Sequence, residues 1–365
     1  MTEILEQENL DALLVSSDEN RFYLSGFTGS AGYFLITRTA SQLVADGRYW
    51  NQVEEQCPDL GLVRFKLETH GNIGRAALTW LHQLGGIERV GIEGRNLTVS
   101  DYGILQKESQ TLWNRDVLVV ADGLPERLRE CKDAEELARL QKAADTADEA
   151  LREALKSFRK GVRENEFCAE LEFQLQKHGA RKPSFDSIVA SGPNGARPHA
   201  TISDRVIGEG ELITLDFGSY CNSYCSDMTR TIWLGDLPEL EQTVYRTVRA
   251  AHAAAIAAVR PGVLTRELDA VARNLITEAG FGEAFSHSLG HGVGLQVHEM
   301  PYLRSTTETV LEPGMVITIE PGIYLAGKTG CRVEDTVVVT ADGGYSLNHT
   351  PYQELGQQHP LDAFA

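Results

Sequence analysis

Apolar residues in the first third of the chain fall in short runs separated by polar turns, the pattern of strands alternating with helices. LLVSS at 13–17, YFLIT at 33–37, QLVAD at 42–46, and later RVGIE and DVLVV, read as strands. Between them IGRAALTWLHQLG at 73–85 repeats apolar residues at helical spacing, with Ala77, Trp80, Leu81 and Leu84 facing one way. The pattern predicts a small N-terminal α/β domain over residues 1–125. Gly123 and Pro125 in DGLPERLREC supply a break, with Pro125 opening the connection.

The periodicity then changes. In KDAEELARLQKAADTADEALREALKSF, Leu137, Leu140, Ala144, Ala147, Leu151 and Leu155 recur every three or four residues, predicting one long amphipathic helix capped by Asp133. A second helix follows Gly161 and stops at Gly179; two more are expected over 237–259 and 264–279. FDSIVASG at 185–192 reads as a strand and turn. ITLDFG and DMTRTIW read as a hairpin turning near residues 218–222, and GMVITIEPGIYL and CRVEDTVVVT as further strands. Helices, hairpin, helices, hairpin, without a crossover after each strand, predict an α+β domain over residues 132–360 with a curved, largely antiparallel sheet. Neither GxGxxG after a strand nor GxxxxGK[ST] occurs, so dinucleotide and P-loop readings lack their main evidence.

The formal net charge of −18 disfavours nucleic acid and anionic lipid as partners. No run approaches the roughly 20 continuous apolar residues of a membrane span, and the opening MTEILEQENL is acidic where a signal peptide needs positive charge. A cytoplasmic protein with reduced thiols is expected. Cys221 and Cys225 lie close together, but no second pair or nearby histidine completes a zinc pattern.

Candidate chemistry sits in acids embedded in β-forming runs. Asp216 in ITLDFG and Asp227, eleven residues later in YCSDMTRT, can meet across a hairpin; Glu320 in VITIEPG and Glu334 in CRVEDTVVVT pose the same problem. A buried carboxylate needs a cation or hydrogen bonds, or it takes up a proton. With His291 in SHSLGHGVG these acids form an oxygen-rich set with one nitrogen, and four carboxylates match the charge of two divalent ions. Each also has a plainer reading: a lone Asp at a strand end serves as a turn or cap residue, and Glu334 could simply pair with Arg332. Periodicity alone does not bring the two hairpins together.

The whole chain resembles M24-type metallopeptidases with the creatinase/aminopeptidase "pita-bread" catalytic fold and a creatinase-like N-terminal domain. The family's five metal ligands match, in order, Asp216 in LDFG, Asp227 in SDMTRT, His291 in HSLGHGVG, Glu320 in IEPG and Glu334 in RVEDT. The resemblance implies that Asp216 chelates one ion, His291 and Glu320 the other, and that Asp227 and Glu334 bridge both. Two such ions would generate a bridging hydroxide, with Glu320 also handling its proton. It further implies that His298 in QVHEMP donates to the scissile carbonyl and that His199 in RPHAT contacts the scissile nitrogen side. His287 would shape the proline-side pocket and stabilise the intermediate. Arg332 would orient a bridging carboxylate or approach the substrate carboxylate, with a plain ion pair as the alternative. Gly290, Gly292 and Gly294 allow close backbone approach and freedom in φ around His291, and Phe185 is placed either in the cleft or in the core.

FTGSAG and the DGRY segment are similar to the N-terminal domains of the proline-specific branch. This implies an Xaa-Pro aminopeptidase acting on short proline-containing peptides, with an Xaa-Pro dipeptidase as runner-up and a non-catalytic peptide-binding protein of the same fold as a third reading. Manganese is the favoured metal, with cobalt or zinc as alternatives. A homodimer is expected from the same relatives.

Overall fold

The computed structural model describes residues 1–365, which divide into two compact units, Met1–Leu128 and Arg129–Ala365. In the first, six strands form one mixed sheet in the order Gly61–Arg64, Ser41–Ala45, Tyr33–Thr37, Ala12–Val15, Val90–Ile92, Leu118–Val120. The strand Ala12–Val15 is apolar at every position because both sheet faces are covered. Ala12 and Leu14 pack with Ala77, Leu78 and Leu81 of the helix Ile73–Leu84, while Leu13 and Val15 face a second core with Leu5 and Phe27. The connection that begins at Pro125 is helical rather than open. Leu124–Arg129 forms a short helix with Pro125 in its first turn, where a missing amide hydrogen is harmless.

The second unit is α+β, and all its strand pairings are antiparallel. The helix Ala134–Ala154 starts at an Asp133–Glu136 capping box. Its buried alanines, Ala143, Ala147, Ala150 and Ala154, pack with the helix Glu164–Lys177 and with Val189, Leu215 and Met228 of a three-stranded sheet, Ile188–Ser191, Ile213–Phe217 and Met228–Ile232. The arrangement then repeats. The helices Glu239–Ala258 and Thr265–Glu278 share a core with the strands Val316–Ile319 and Asp335–Val339 of a five-stranded sheet and with the hairpin Gly322–Leu325/Thr329–Arg332. An isolated bridge between Thr229 and Glu334 links the two halves where their acidic strands meet. No helix of the chain is long and apolar enough to cross a membrane.

Candidate metal centre

Asp216 sits on the central strand of the three-stranded sheet, opposite Thr229 on one side and Ile188 on the other. The chain returns through a turn at Asn222 and Ser223, which carry φ of 49° and 71°. This places the turn at the far end of the expected 218–222 span. Gly218 is not a turn residue: a side chain there would meet the Ser226 carbonyl at 1.9 Å, so glycine permits close approach across the hairpin. Asp227 immediately precedes the strand Met228–Ile232, and Thr336 Oγ1 donates to its carbonyl at 2.8 Å.

The second hairpin set delivers the other acids. Glu320 follows Val316–Ile319, and Glu334 precedes Asp335–Val339. His291 lies on the short strand Gly290–Gly292, where a Cβ at Gly290 would come within 2.0 Å of the Thr318 carbonyl. None of Gly290, Gly292 and Gly294 has a positive φ. Of the two reasons expected for these glycines, close approach is the one the structure uses.

Asp227, His291 and Glu334 converge, each offering one ligand atom within 4.8 Å of the others. His291 Nε2 lies 3.7 Å from Asp227 Oδ2 and 3.4 Å from Glu320 Oε1. His291 Nδ1 is occupied at 3.1 Å by the Gly292 carbonyl, so Nδ1 carries the proton and Nε2 keeps its lone pair toward the acids. Glu334 Oε2 accepts from Thr229 Oγ1 at 2.7 Å. Asp216 lies on the same cavity, but its Oδ2 is held at 2.5 Å by Arg332 Nη2, and its buried Oδ1 has no partner.

The electrostatics are those of a site short of positive charge. Burial, then Glu334, Asp216 and Glu320, push the Asp227 carboxyl well above its ordinary range. Burial and the Glu320 and Asp216 carboxylates do the same to Glu334. Burial lifts Glu320 to about 8, with Arg332 opposing and Asp216 adding to the rise. Burial holds His291 down at about 3, with His298 contributing, so its imidazole is neutral and available as a ligand. Hard oxygen donors that repel one another, an orphaned buried carboxylate oxygen and a neutral imidazole together fit divalent metal ions.

The remaining expected residues surround these ligands. His199, His287, His298, Arg332 and Phe185 all line the same cavity, of about 900 Å³. The rings of His298 and His291 stack edge-on with centroids 4.3 Å apart, and burial lowers the His298 pKa. Both nitrogens of His287 are engaged within the protein, Nδ1 with the Ser288 carbonyl at 2.8 Å and Nε2 with the Tyr324 hydroxyl at 3.0 Å. Arg332 donates to Asp216, Tyr324, Thr229 and the Pro198 carbonyl, and not to Glu334. The contact expected on a bridging carboxylate goes instead, through one Nη2–H bond, to Asp216, because the strand Thr329–Arg332 ends before Glu334 turns into its bridge with Thr229.

Three contributors were invisible as site residues in the sequence. Tyr324 and Thr229 looked like ordinary strand residues. Arg304, at the cavity rim, makes no ion pair with an acid and lies over the Tyr302 ring at 4.4 Å. Nothing in the sequence signalled it, since Arg304 stands just past the end of the strand Glu299–Leu303, in a turn closed by Thr307. Cys221 and Cys225 are both free and take no part.

Comparison with known proteins matches residues 138–341 to Metallopeptidase family M24 and residues 1–131 to the Creatinase/Prolidase N-terminal domain. An Xaa-Pro dipeptidase of Pyrococcus horikoshii is 36% identical over 95% of this chain and 95% of its own. A solved Xaa-Pro dipeptidase from Bacillus anthracis has a TM-score of 0.91 at 38% identity, covering 97% of this chain and 98% of that one. A solved X-Pro aminopeptidase from Thermotoga maritima has a TM-score of 0.86 at 32% identity, covering 96% and 99%. Dipeptidase and prolidase names recur more consistently among these relatives than aminopeptidase.

Proposed function

The chain belongs to metallopeptidase family M24, and from that premise we propose that it is an Xaa-Pro dipeptidase, cleaving the bond between a first residue and a C-terminal proline with two divalent metal ions. The observation that carries this reading is the convergence of Asp227, His291 and Glu334 beside Glu320 and the orphaned oxygen of Asp216. Asp216, Asp227, His291, Glu320 and Glu334 would hold the ions, and their oxygen-rich donor set favours manganese. Bound there, the ions would supply Lewis acidity toward the scissile carbonyl and an attacking water.

The chain's own groups complete the chemistry. Glu320, whose Oε1 lies beside His291 Nε2, can take a proton from the attacking water and pass it to the leaving nitrogen. His298 can donate a hydrogen bond to the carbonyl oxygen, and His199 is free to meet the nitrogen side. His287 offers a fixed ring wall rather than a donor, since both its nitrogens are taken. A rigid wall suits proline, whose tertiary amide has no hydrogen to donate and whose φ is locked.

Two observations put the dipeptidase ahead of the aminopeptidase, which the sequence alone ranked first. The relatives' names lean that way, and Arg304 presents an unpaired guanidinium at the cavity rim, suited to a free proline carboxylate. The aminopeptidase reading retains the support of the Thermotoga maritima relative and of a cavity with room beyond proline. A homodimer belongs to the same proposal.

The test is a matched assay of Xaa-Pro dipeptides and Xaa-Pro-Yaa tripeptides with manganese-loaded protein. Dipeptides should be cleaved at least tenfold more efficiently. Equal release of the first residue from tripeptides would make the enzyme an aminopeptidase, and no cleavage of either would end the reading.

A further inference from the structure

Behind the acidic cluster, on the side away from the cavity, lies a second buried polar assembly that the proposed chemistry does not use. Alternation along Met228–Ile232 sends Thr229 and Thr231 toward the site and Arg230 to the opposite face. Arg230 is 2% exposed, and its guanidinium meets acceptors on three separate segments. Nη1 donates to the Thr229 carbonyl at 3.0 Å and to the Glu334 carbonyl at 2.7 Å; Nη2 donates to Asp335 Oδ1 and to the Thr350 carbonyl, both at 2.8 Å; Nε donates to Thr350 again at 3.1 Å.

We propose that Arg230 is a positioning residue for the metal centre: its guanidinium fixes the Thr229–Glu334 bridge and thereby aims the Glu334 carboxylate at Asp227. The inference rests on the metal-centre reading above. The bridge itself is a backbone bond from the Glu334 amide to the Thr229 carbonyl, at 3.1 Å, and a side-chain bond from Thr229 Oγ1 to Glu334 Oε2. Arg230 Nη1 spans both carbonyls of that bridge. Any slip of one strand against the other would therefore break bonds on both sides of the guanidinium as well as the Thr229 contact.

The role is geometric rather than electrostatic. Asp335, 1% exposed, pairs with Arg230 and cancels its charge before it reaches the site. Asp335 is itself held from behind: the Tyr352 hydroxyl donates to its Oδ2, and the His252 ring stands beside it, with Nε2 3.4 Å away. The Tyr352 ring lies under the guanidinium of Arg249, 3.4 Å from its centroid. Arg332 differs in this respect, because its charge faces Asp216 directly. Only a planar fork can reach this spread of acceptors, so lysine keeps the charge but loses the clamp.

The experiment uses the full chain and cobalt(II) alone as the probe, comparing wild type with Arg230→Lys by titration calorimetry and by visible absorption of the bound ion. Near-UV circular dichroism establishes that the variant is folded. The expected result is a fall in affinity of about 10- to 100-fold for at least one cobalt equivalent, with altered absorption bands and a kcat loss larger than the change in KM. A folded variant binding two cobalt ions with wild-type affinity and spectrum would overturn the proposal. If Arg230→Lys does not fold, Tyr352→Phe, which removes only the outer hydroxyl on Asp335, decides: weakened cobalt binding supports the proposal and wild-type binding overturns it. A wild-type chain that binds no cobalt would remove the metal-centre reading itself, and the inference with it.

Discussion

Arg332 Nη2 donates to Asp216 Oδ2 at 2.5 Å, across two sheets, while Glu334, two residues along its own chain, takes its hydrogen bond from Thr229. The only cation among these buried acids thus orients Asp216, an acid outside the converging trio. Replacing it by methionine leaves Asp216 without its counter-charge. Arg332→Met should cost about 3–5 kcal/mol of stability and lower kcat/KM at least 100-fold. Thermal melts and steady-state kinetics check this; a variant with wild-type kcat/KM would contradict it.

Stability and metal binding should move in opposite directions at Glu334. In metal-free protein its carboxyl is buried among Glu320 and Asp216 and is driven toward the neutral form. Glu334→Gln relieves that repulsion and keeps the shape, so the metal-free variant should melt at or above the wild-type temperature. It should also bind fewer metal ions and lose turnover. Such trades between activity and stability are common at sites built from like charges. A variant that melts lower and retains both ions would defeat the assignment.

The raised acids also predict how the metal-free protein responds to pH. Glu320 has its folded pKa near 8 against an ordinary 4.5, so between those values the folded chain binds more protons than the unfolded one. Its contribution is fully present below about 4.5 and is lost as pH rises through about 8. Metal-free protein should therefore melt lower at pH 8 than at pH 6, and adding manganese should remove the difference while releasing protons. Melts with and without chelator, and calorimetry in buffers of different ionisation enthalpy, measure both effects.

Arg304 carries the dipeptide preference in this account. Arg304→Ala should raise KM for Xaa-Pro dipeptides with little change in kcat, a loss of about 1.5–3 kcal/mol for a charge-assisted hydrogen bond. The same substitution should leave Xaa-Pro amides, which lack the carboxylate, nearly unaffected. Equal losses on acid and amide substrates would assign Arg304 another task.

Much of this was legible in the sequence, for identifiable reasons. The strongly periodic helices, including the Asp133-capped helix, and the acids set in β-forming runs each carry a local signal. Their convergence does not, since it depends on the Thr229–Glu334 bridge between segments 105 residues apart. The helix Val99–Trp113 escaped because only Leu105 and Ser109 are buried on it, leaving little amphipathic contrast. The strand Gly61–Arg64 escaped because it is an edge strand with no fully buried residue. That Arg332 meets Asp216 and not Glu334 had no local signal, because the strand ends at Arg332 and the contact joins segments 116 residues apart. Gly218 was read as a turn residue when it serves close packing across the hairpin. Tyr324 gave no sign of its part, because a tyrosine in GIYL looks like core until its hydroxyl is seen joining Arg332 to His287.

Metal content and peptide hydrolysis, determined on one sample before chelation, after chelation and after reloading with manganese, test the centre of the account most directly. The expected result is two ions per chain at full activity, loss of both together, and joint recovery. A folded chain that hydrolyses Xaa-Pro at full rate with no bound metal, indifferent to chelator, would contradict it.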